Sequence, residues 1–327
     1  MNTGPVLVTG GAGFIGSHLV DSLLADGHRV TVLDNLSTGR LGNLDKAAAN
    51  PDFRFVPGSI TDDTIVDELV HESSSVVHLA AAVGVRLIVE EPLRSFATNV
   101  RGSEVVIGAA HRYRRRILVA STSEVYGKNE SDALTEDADR VLGPPQIWRW
   151  AYSVAKSVDE ILAYLYYHER GLPTVVMRLF NTVGPRQSAA YGMVIPRLVQ
   201  QAMSNQPITV YGDGLQTRCF CHVEDTVRAI RGLMDTEGAN GEAYNIGAGK
   251  EISMLDLAKL IIKMSESQSE IVMVSYEEAF PNGGFEDMRR RVPDTTKITS
   301  LLGWRPQRNL EDIIAANIAD VRALPTD

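Results

Sequence analysis

Short apolar runs alternate with amphipathic stretches along residues 5–180. The runs Val6–Val8, Val30–Leu33, Phe53–Val56, Val76–Leu79, Ile117–Ala120 and Val175–Arg178 have the length and β-branched content of buried strands. Between them, Ile15–Ala25, Ile65–His71, Phe96–His111 and Ser153–Arg170 carry helical spacing. This alternation predicts β-α-β units: an α/β fold in which a doubly wound, Rossmann-like parallel sheet is covered by helices on both faces. No fixed-period repeat or low-complexity tract interrupts it. After Asn181 glycine and proline punctuate shorter elements, as in Tyr211-Gly212-Asp213-Gly214 and Phe280-Pro281-Asn282-Gly283-Gly284. The expectation is a sheet domain over 1–180 that recovers elements near 220–248, Tyr244–Ile246 among them. A smaller, discontinuous α/β substrate-binding region lies mainly within 181–327. Residues 280–292 read as a loop, and loops carry function more often than cores do.

Candidate chemistry sits at the strand-to-helix junctions. The segment Val6-Leu7-Val8-Thr9-Gly10-Gly11-Ala12-Gly13-Phe14-Ile15-Gly16 places glycines at 10, 13 and 16 of the first junction. Gly10 permits a tight turn, Gly13 the close approach of a pyrophosphate and Gly16 close helix–strand packing, with the helix N-terminus facing the phosphates. Asp34 ends the next strand, where a carboxylate accepts from both adenosine ribose hydroxyls and repels a 2′-phosphate, so NAD is expected over NADP. The plainer reading of Asp34 is a cap on the Asp-Asn turn that follows it.

Tyr152 and Lys156 stand four apart on one helix face, after Ser121-Thr122-Ser123-Glu124 at the carboxyl end of the fifth strand. Beside a cationic nicotinamide, the Lys156 ammonium is expected to lower the Tyr152 phenol from its usual ~10, making it a usable base. His78, in an apolar strand end, reads as a packed neighbour of the cofactor. No His/Cys/Asp spacing suits zinc, so no metal is expected.

Composition narrows the setting. A net charge of −9 disfavours nucleic acid as a partner. The apolar runs break before the ~18 residues a membrane span needs, and Met1–Pro5 lacks the basic flank of a signal peptide. Two cysteines, Cys219 and Cys221, make no disulfide framework. A cytoplasmic enzyme is expected.

The G-x-x-G-x-x-G turn, His78-Leu79-Ala80-Ala81, Tyr152-x-x-x-Lys156 and Asn181-Thr182-Val183-Gly184-Pro185-Arg186 together resemble the extended short-chain dehydrogenase/reductases that act on nucleotide sugars. The likeness runs from about residue 5 to 320. It implies NAD held by Gly10, Gly13, Phe14, Ile15, Gly16, Asp34, Asn35, Ser59, Ile60, Leu79, Ala80, Ala81, Asn99, Tyr152 and Lys156. Ser59 stands where the family usually has Asp, a departure in the adenine pocket. By the same resemblance Thr122 holds the sugar 4-hydroxyl, Tyr152 is the base and Lys156 orients the ribose. Asn181 and Arg218 contact the nucleotide diphosphate, and Arg86, Arg186 and Tyr211 complete the substrate site.

Glu124 separates the chemistries, because pure 4-epimerases usually carry a small or neutral residue there. The stretches Arg149–Lys156, Thr217–Phe220 and Gly284–Pro293 are similar to UDP-glucuronate decarboxylases, a group including UDP-xylose synthases and the decarboxylase domain of the polymyxin-resistance enzyme. Aligned through Pro293, Arg291 falls on that group's arginine beside the uronate carboxylate, leaving Arg289 and Arg290 as solvated or phosphate-facing charges. Against this, Ile88 stands where those decarboxylases have tyrosine, and Gly84-Val85-Arg86 resembles 4-epimerases. The expectation is NAD-dependent oxidation at C4 and decarboxylation of UDP-glucuronate to a UDP-4-keto-pentose or UDP-xylose. UDP-sugar 4-epimerisation is the alternative, with a 4,6-dehydratase or a non-catalytic NAD-binding protein behind it. Val154, Val158, Ile161, Leu162, Leu165 and Tyr166 form an apolar stripe wider than one sheet face needs. Related enzymes pair this helix across a homodimer.

Overall fold

A computed structural model describes residues 5–84, 91–189, 193–281 and 286–323. Its main sheet has seven strands, in the order Glu242–Ile246, β6 (Thr174–Leu179), β5 (Arg116–Thr122), β4 (Ser75–His78), β1 (Val6–Thr9), β2 (Val30–Asp34) and β3 (Phe53–Pro57). Every pairing in it is parallel. The chain winds outward from β1 to β3, crosses back to β4 beside β1, then winds the other way. That reversal opens a crevice at the carboxyl ends of β1 and β4, where Thr9 pairs with His78.

The strands read as unbroken apolar runs because both sheet faces are covered; all four residues of β1 are buried. On one face the helix Phe14–Ala25 lays Leu19, Val20 and Leu23 against Val223, Val227 and Ile230 of the helix Val223–Asp235. On the other face lie Asp63–Glu72, Pro92–Arg112 and Arg149–Arg170, whose Val66, Val106 and Ala163 meet Val76, Ile117 and Val119. A third core joins the helices Val194–Met203, Met254–Ser265 and Leu310–Ala323 through Leu198, Leu257 and Ile314. The strand Tyr244–Ile246 expected from sequence is the end of Glu242–Ile246 and extends the main sheet beside β6.

Two helices begin four residues, about one turn, before their apolar spacing predicts. Pro92 opens the helix expected from Phe96, because proline is preorganised for a first turn whose N–H needs no partner. The helix expected from Ser153 begins at Arg149. Its first turn carries Arg149 and Trp150, both buried, so polarity there marks the site and not solvent. Among the described residues no helix is long and apolar enough to cross a membrane.

Candidate active site

At the first junction the glycines are required by contact. Gly10 has φ +73°, and a Cβ on it would stand 2.7 Å from the Ala80 backbone nitrogen. A Cβ on Gly16 would stand 2.2 Å from the Gly10 carbonyl oxygen. The helix that follows has Gly13 at its N-cap and no side chain capping it, so its first N–H groups face the cleft. A group with several anionic oxygens satisfies such an end, and the cradle fits the pyrophosphate of NAD.

Asp34 does both things its position allows. Its Oδ1 accepts from the Leu36 N–H (2.8 Å), closing the turn, and its Oδ2 accepts from the Ala12 N–H (3.0 Å), bracing the glycine loop. Burial pushes its carboxyl up, opposed by these backbone donors. The cleft wall continues through Phe14, Ile15, Asn35, Ile60, Leu79, Ala80 and Ala81. Two expected cofactor residues stand behind that wall. The Ser59 hydroxyl meets Thr61 Oγ1 at 2.8 Å, and Asn99 clamps Ala82, accepting from its N–H (2.7 Å) and donating to its carbonyl (3.1 Å). His78 is wholly buried between Thr9 Oγ1 (2.7 Å) and Ser103 Oγ (3.1 Å). Burial, with the Lys156 charge adding, pushes its imidazole down to about 3, so it is neutral. Among the described residues no group of three His, Cys, Asp or Glu could hold a metal.

Past the crevice, Thr122 ends β5 and its Oγ1 accepts from the Glu124 N–H (3.2 Å), capping the turn Ser123–Tyr126. The Thr122 side chain lies beside the Tyr152 phenol in the same cleft. Lys156, one turn on, donates to Asp159 Oδ2 at 2.5 Å. Among the chain's own groups burial is the largest influence, then the charges of Glu124 and Asp159, and all three push the phenol above its usual value; Thr122 alone opposes them. Lys156 is held on Asp159 while its charge still acts on His78.

The substrate end draws on distant segments. Glu124 is partly buried, and its Oε1 receives Arg149 Nη2 at 3.0 Å and lies 3.4 Å from Arg291 Nη1. Burial pushes its carboxyl up, yet Arg149, Arg291 and Arg218 outweigh that and hold it below the usual range. Arg291 also donates from Nη2 to Asn181 Oδ1 (3.2 Å); burial brings its guanidinium down to about 10. Asn181 donates to the Cys219 carbonyl (2.8 Å). Arg218 pairs with Asp287 at 2.5 Å, and Asp287 Oδ2 accepts from Tyr276 Oη (2.8 Å). Tyr211 lies under the Arg197 guanidinium at 4.5 Å and edge-on to Phe280 at 5.9 Å. Arg186 lines the cleft but pairs with Asp21 of the first helix (2.8 Å). Arg86 and Ile88 lie outside the described residues, as do Gly284 and Phe285.

The three-arginine run is not a solvated face. Arg289 is exposed and pairs with Asp213, but Arg290 grips Glu251 with Nε (2.9 Å) and Nη2 (2.7 Å), and Arg291 turns inward. Successive side chains of 289–291 therefore reach different walls and pin the segment across the cleft.

Sequence reasoning assigned no role to Arg149, Asp287 or Tyr276, nor to the buried group behind β5. There Glu160 accepts from Ser121 and from Arg178 (Nε and Nη2, both 2.9 Å), and Arg178 donates to Tyr126 Oη (2.8 Å). Arg149 had a legible signal, since it lies three residues, one turn, before Tyr152. The others had none, because their partners are remote in sequence. Phe14, Asp34, Thr122, Glu124, Tyr152, Lys156, Asn181, Tyr211, Arg218 and Arg291 all line one cleft of about 1130 Å³. Single-ligand pockets run ~300–1,000 Å³, so a dinucleotide and a second nucleotide fit together.

The GDP-mannose 4,6-dehydratase family model matches residues 7–316. The chain belongs to this family. Its members are NAD-dependent extended short-chain dehydrogenase/reductases. The chain is 39% identical over 322 residues to UDP-N-acetyl-alpha-D-glucosaminuronate decarboxylase of Bacillus cytotoxicus, covering 98% of each. It is 36% identical over 310 residues to UDP-glucuronic acid decarboxylase 1 of Xenopus tropicalis, covering 94% of this chain and 69% of that one. UDP-glucuronic acid 4-epimerase from Bacillus cereus, solved with UDP-glucuronic acid and NAD, superposes with a TM-score of 0.87 at 29% identity, covering 97% of both chains.

Proposed function

We propose that this chain is an NAD-dependent decarboxylase of a UDP-hexuronate, UDP-glucuronate or its 2-acetamido counterpart. The observation that carries the reading is the buried Arg291 guanidinium beside Glu124, in the same cleft as Thr122, Tyr152 and Lys156. An epimerase of a neutral sugar has no carboxylate for a buried arginine to hold; against epimerisation of a uronate the support is the similarity to decarboxylases. The similarity to decarboxylases of both sugars supports the reaction and leaves the 2-substituent to experiment.

A bound nicotinamide would supply the hydride acceptor and a positive charge, and Tyr152 and Lys156 are the residues that would face it. Thr122 would orient the 4-hydroxyl, and Tyr152, ionised by that positive charge against its burial and the charges of Glu124 and Asp159, would take the proton on Oη. Lys156, held by Asp159, reaches the ribose. Once C4 is a ketone, the C6 carboxylate is β to it. The C5–C6 bond breaks, carbon dioxide leaves, and the electron pair passes to C5 and the C4 oxygen, where the protonated Tyr152 and Thr122 donate hydrogen bonds. Arg291 holds the carboxylate, and Glu124 shares that guanidinium, so the ground state is not over-stabilised. C5 then takes a proton.

Division of labour follows the cores: the sheet through 1–180 with Glu242–Ile246 serves the cofactor, and the segments from 181 onward serve mainly the UDP-sugar. A homodimer is part of the proposal. Val154, Ile161 and Leu165 of the Arg149–Arg170 helix are exposed, as is Tyr164, while Leu162 and Tyr166 pack inward. Both cysteines are free and buried, which fits a reducing cytoplasm. The test is incubation of the purified protein and NAD with each UDP-uronate, followed by product mass. Loss of one carbon dioxide supports the reading; turnover without mass change makes the protein an epimerase; no turnover of either substrate overturns it.

A further inference from the structure

Behind the sheet end that carries Thr122, four buried polar side chains from four elements are joined in series. Glu160 belongs to the helix of Tyr152 and Lys156, one turn past Lys156. Arg178 comes from β6, Tyr126 from the turn after Thr122, and Asn245 from the strand Glu242–Ile246. Both oxygens of Glu160 accept from Arg178 (Nε and Nη2, 2.9 Å each), and they also take Ser121 and Arg140. Arg178 Nη1 donates to Tyr126 Oη (2.8 Å), whose own proton goes on to Asn245 Oδ1 (2.7 Å). Asn245 Nδ2 then donates to the carbonyls of Leu134 (2.7 Å) and Asp294 (3.0 Å). Leu134 is paired with the same segment: its N–H donates to the Val292 carbonyl (2.8 Å), and its carbonyl accepts from the Asp294 N–H (2.9 Å). The series therefore starts on the helix of the proton acceptor and ends on the residues directly after Arg291.

The chemistry of each link fixes its direction. Only the amide nitrogen of Asn245 can donate to two carbonyls, so its oxygen must accept, and the single Tyr126 proton serves it. Among the described residues none of these four side chains keeps a buried polar atom without a partner, whereas in the cleft Glu124 Oε2 and Arg291 Nε do. A saturated network offers nothing to a ligand. Buried ion pairs also add little stability over apolar residues of the same shape; what they can fix is one arrangement of the elements they join.

We infer that Tyr126 is the joint of a buried positioning network, Glu160–Arg178–Tyr126–Asn245, that sets Arg291 at its working distance from Tyr152. The inference rests on the proposed decarboxylation, in which one group meets the sugar at C4 and the other at the carboxylate. Those two groups stand on segments remote in sequence, and the Tyr126 hydroxyl is the single oxygen through which the Arg178 and Asn245 halves of the network meet.

Tyr126→Phe removes that oxygen and leaves the ring beside Phe180. The measurements are kcat and KM for the UDP-uronate that wild type decarboxylates, and NAD affinity by titration. The expected result is a kcat lower by about tenfold with KM and NAD affinity changed by less than about twofold, because misplaced reacting groups cost rate more than binding. In an Arg291→Ala background the same substitution should cost less than about twofold, since the residue it positions is gone. An unchanged kcat, whatever happens to the melting temperature, overturns the inference. So does an equal loss in both backgrounds, which would place the effect elsewhere. Arg178→Lys keeps a cation against Glu160, loses the fork and should give the same pattern, so it carries the test if Tyr126→Phe does not fold. A wild type that decarboxylates neither uronate refutes the uronate reading and this inference with it. A wild type that decarboxylates one, with full kcat in both variants, refutes the positioning alone.

Discussion

The two ends of the cleft are built by opposite means. The cofactor end is local: Gly10, Gly13, Gly16 and Asp34 fall within two β-α units, and their spacing is dictated by backbone contacts that a Cβ would violate. The substrate end is assembled from Glu124, Arg149, Asn181, Arg218 and Arg291, whose meeting depends on ion pairs between segments as much as 167 positions apart. Backbone sterics tolerate almost no substitution and leave a motif. Ion pairs tolerate several arrangements and leave only residue types, so this end is where activities within one fold diverge.

That contrast can be broken at its strongest joint first. Tyr152→Phe removes the proton acceptor the two ends share, and turnover of a UDP-uronate should fall at least ~10²-fold while NAD still binds, as read by steady-state rates and cofactor titration. Arg291→Ala should lower uronate turnover by roughly 10–100-fold, the loss of a charge-assisted hydrogen bond, with UDP-glucose binding changed far less. An unchanged ratio of the two would detach Arg291 from the carboxylate. At the cofactor end, Gly16→Ala forces a Cβ against the Gly10 carbonyl, so NAD affinity and melting temperature should drop together, by about 1–3 kcal/mol of overpacking. If NAD affinity alone fell, the strain would be confined to the bound state.

A subtler probe is pH. His78 titrates near 3 in the fold against 6.5 unfolded, so the unfolded chain takes the proton first and stability declines as pH falls below about 6.5. The decline from this group approaches about 1.4 kcal/mol per pH unit. Denaturant titrations from pH 7 to 5 should show a shallower slope in His78→Gln than in wild type; equal slopes would mean the imidazole titrates normally. The smallest effect belongs to Arg289→Ala. Its pair with Asp213 is exposed, and melting temperature and turnover should both stay indistinguishable from wild type.

The glycine turn, Asp34, the Tyr152–Lys156 pair and all seven sheet strands could be read in advance, since each rests on contacts between residues near in sequence or on burial on both faces. The start of the Arg149–Arg170 helix was missed because its first turn is polar but buried, and apolar periodicity carries no mark of that.

From the amino-acid order alone came the α/β class, the dinucleotide turn and the catalytic pair, because hydrophobic period and glycine sterics act over a few residues. Only tertiary structure decided that Arg289, Arg290 and Arg291, three identical neighbours, face solvent, Glu251 and the cleft in turn. Side-chain charge is the same at all three positions. What differs is the partner each meets and the water each loses, and both are properties of the folded chain.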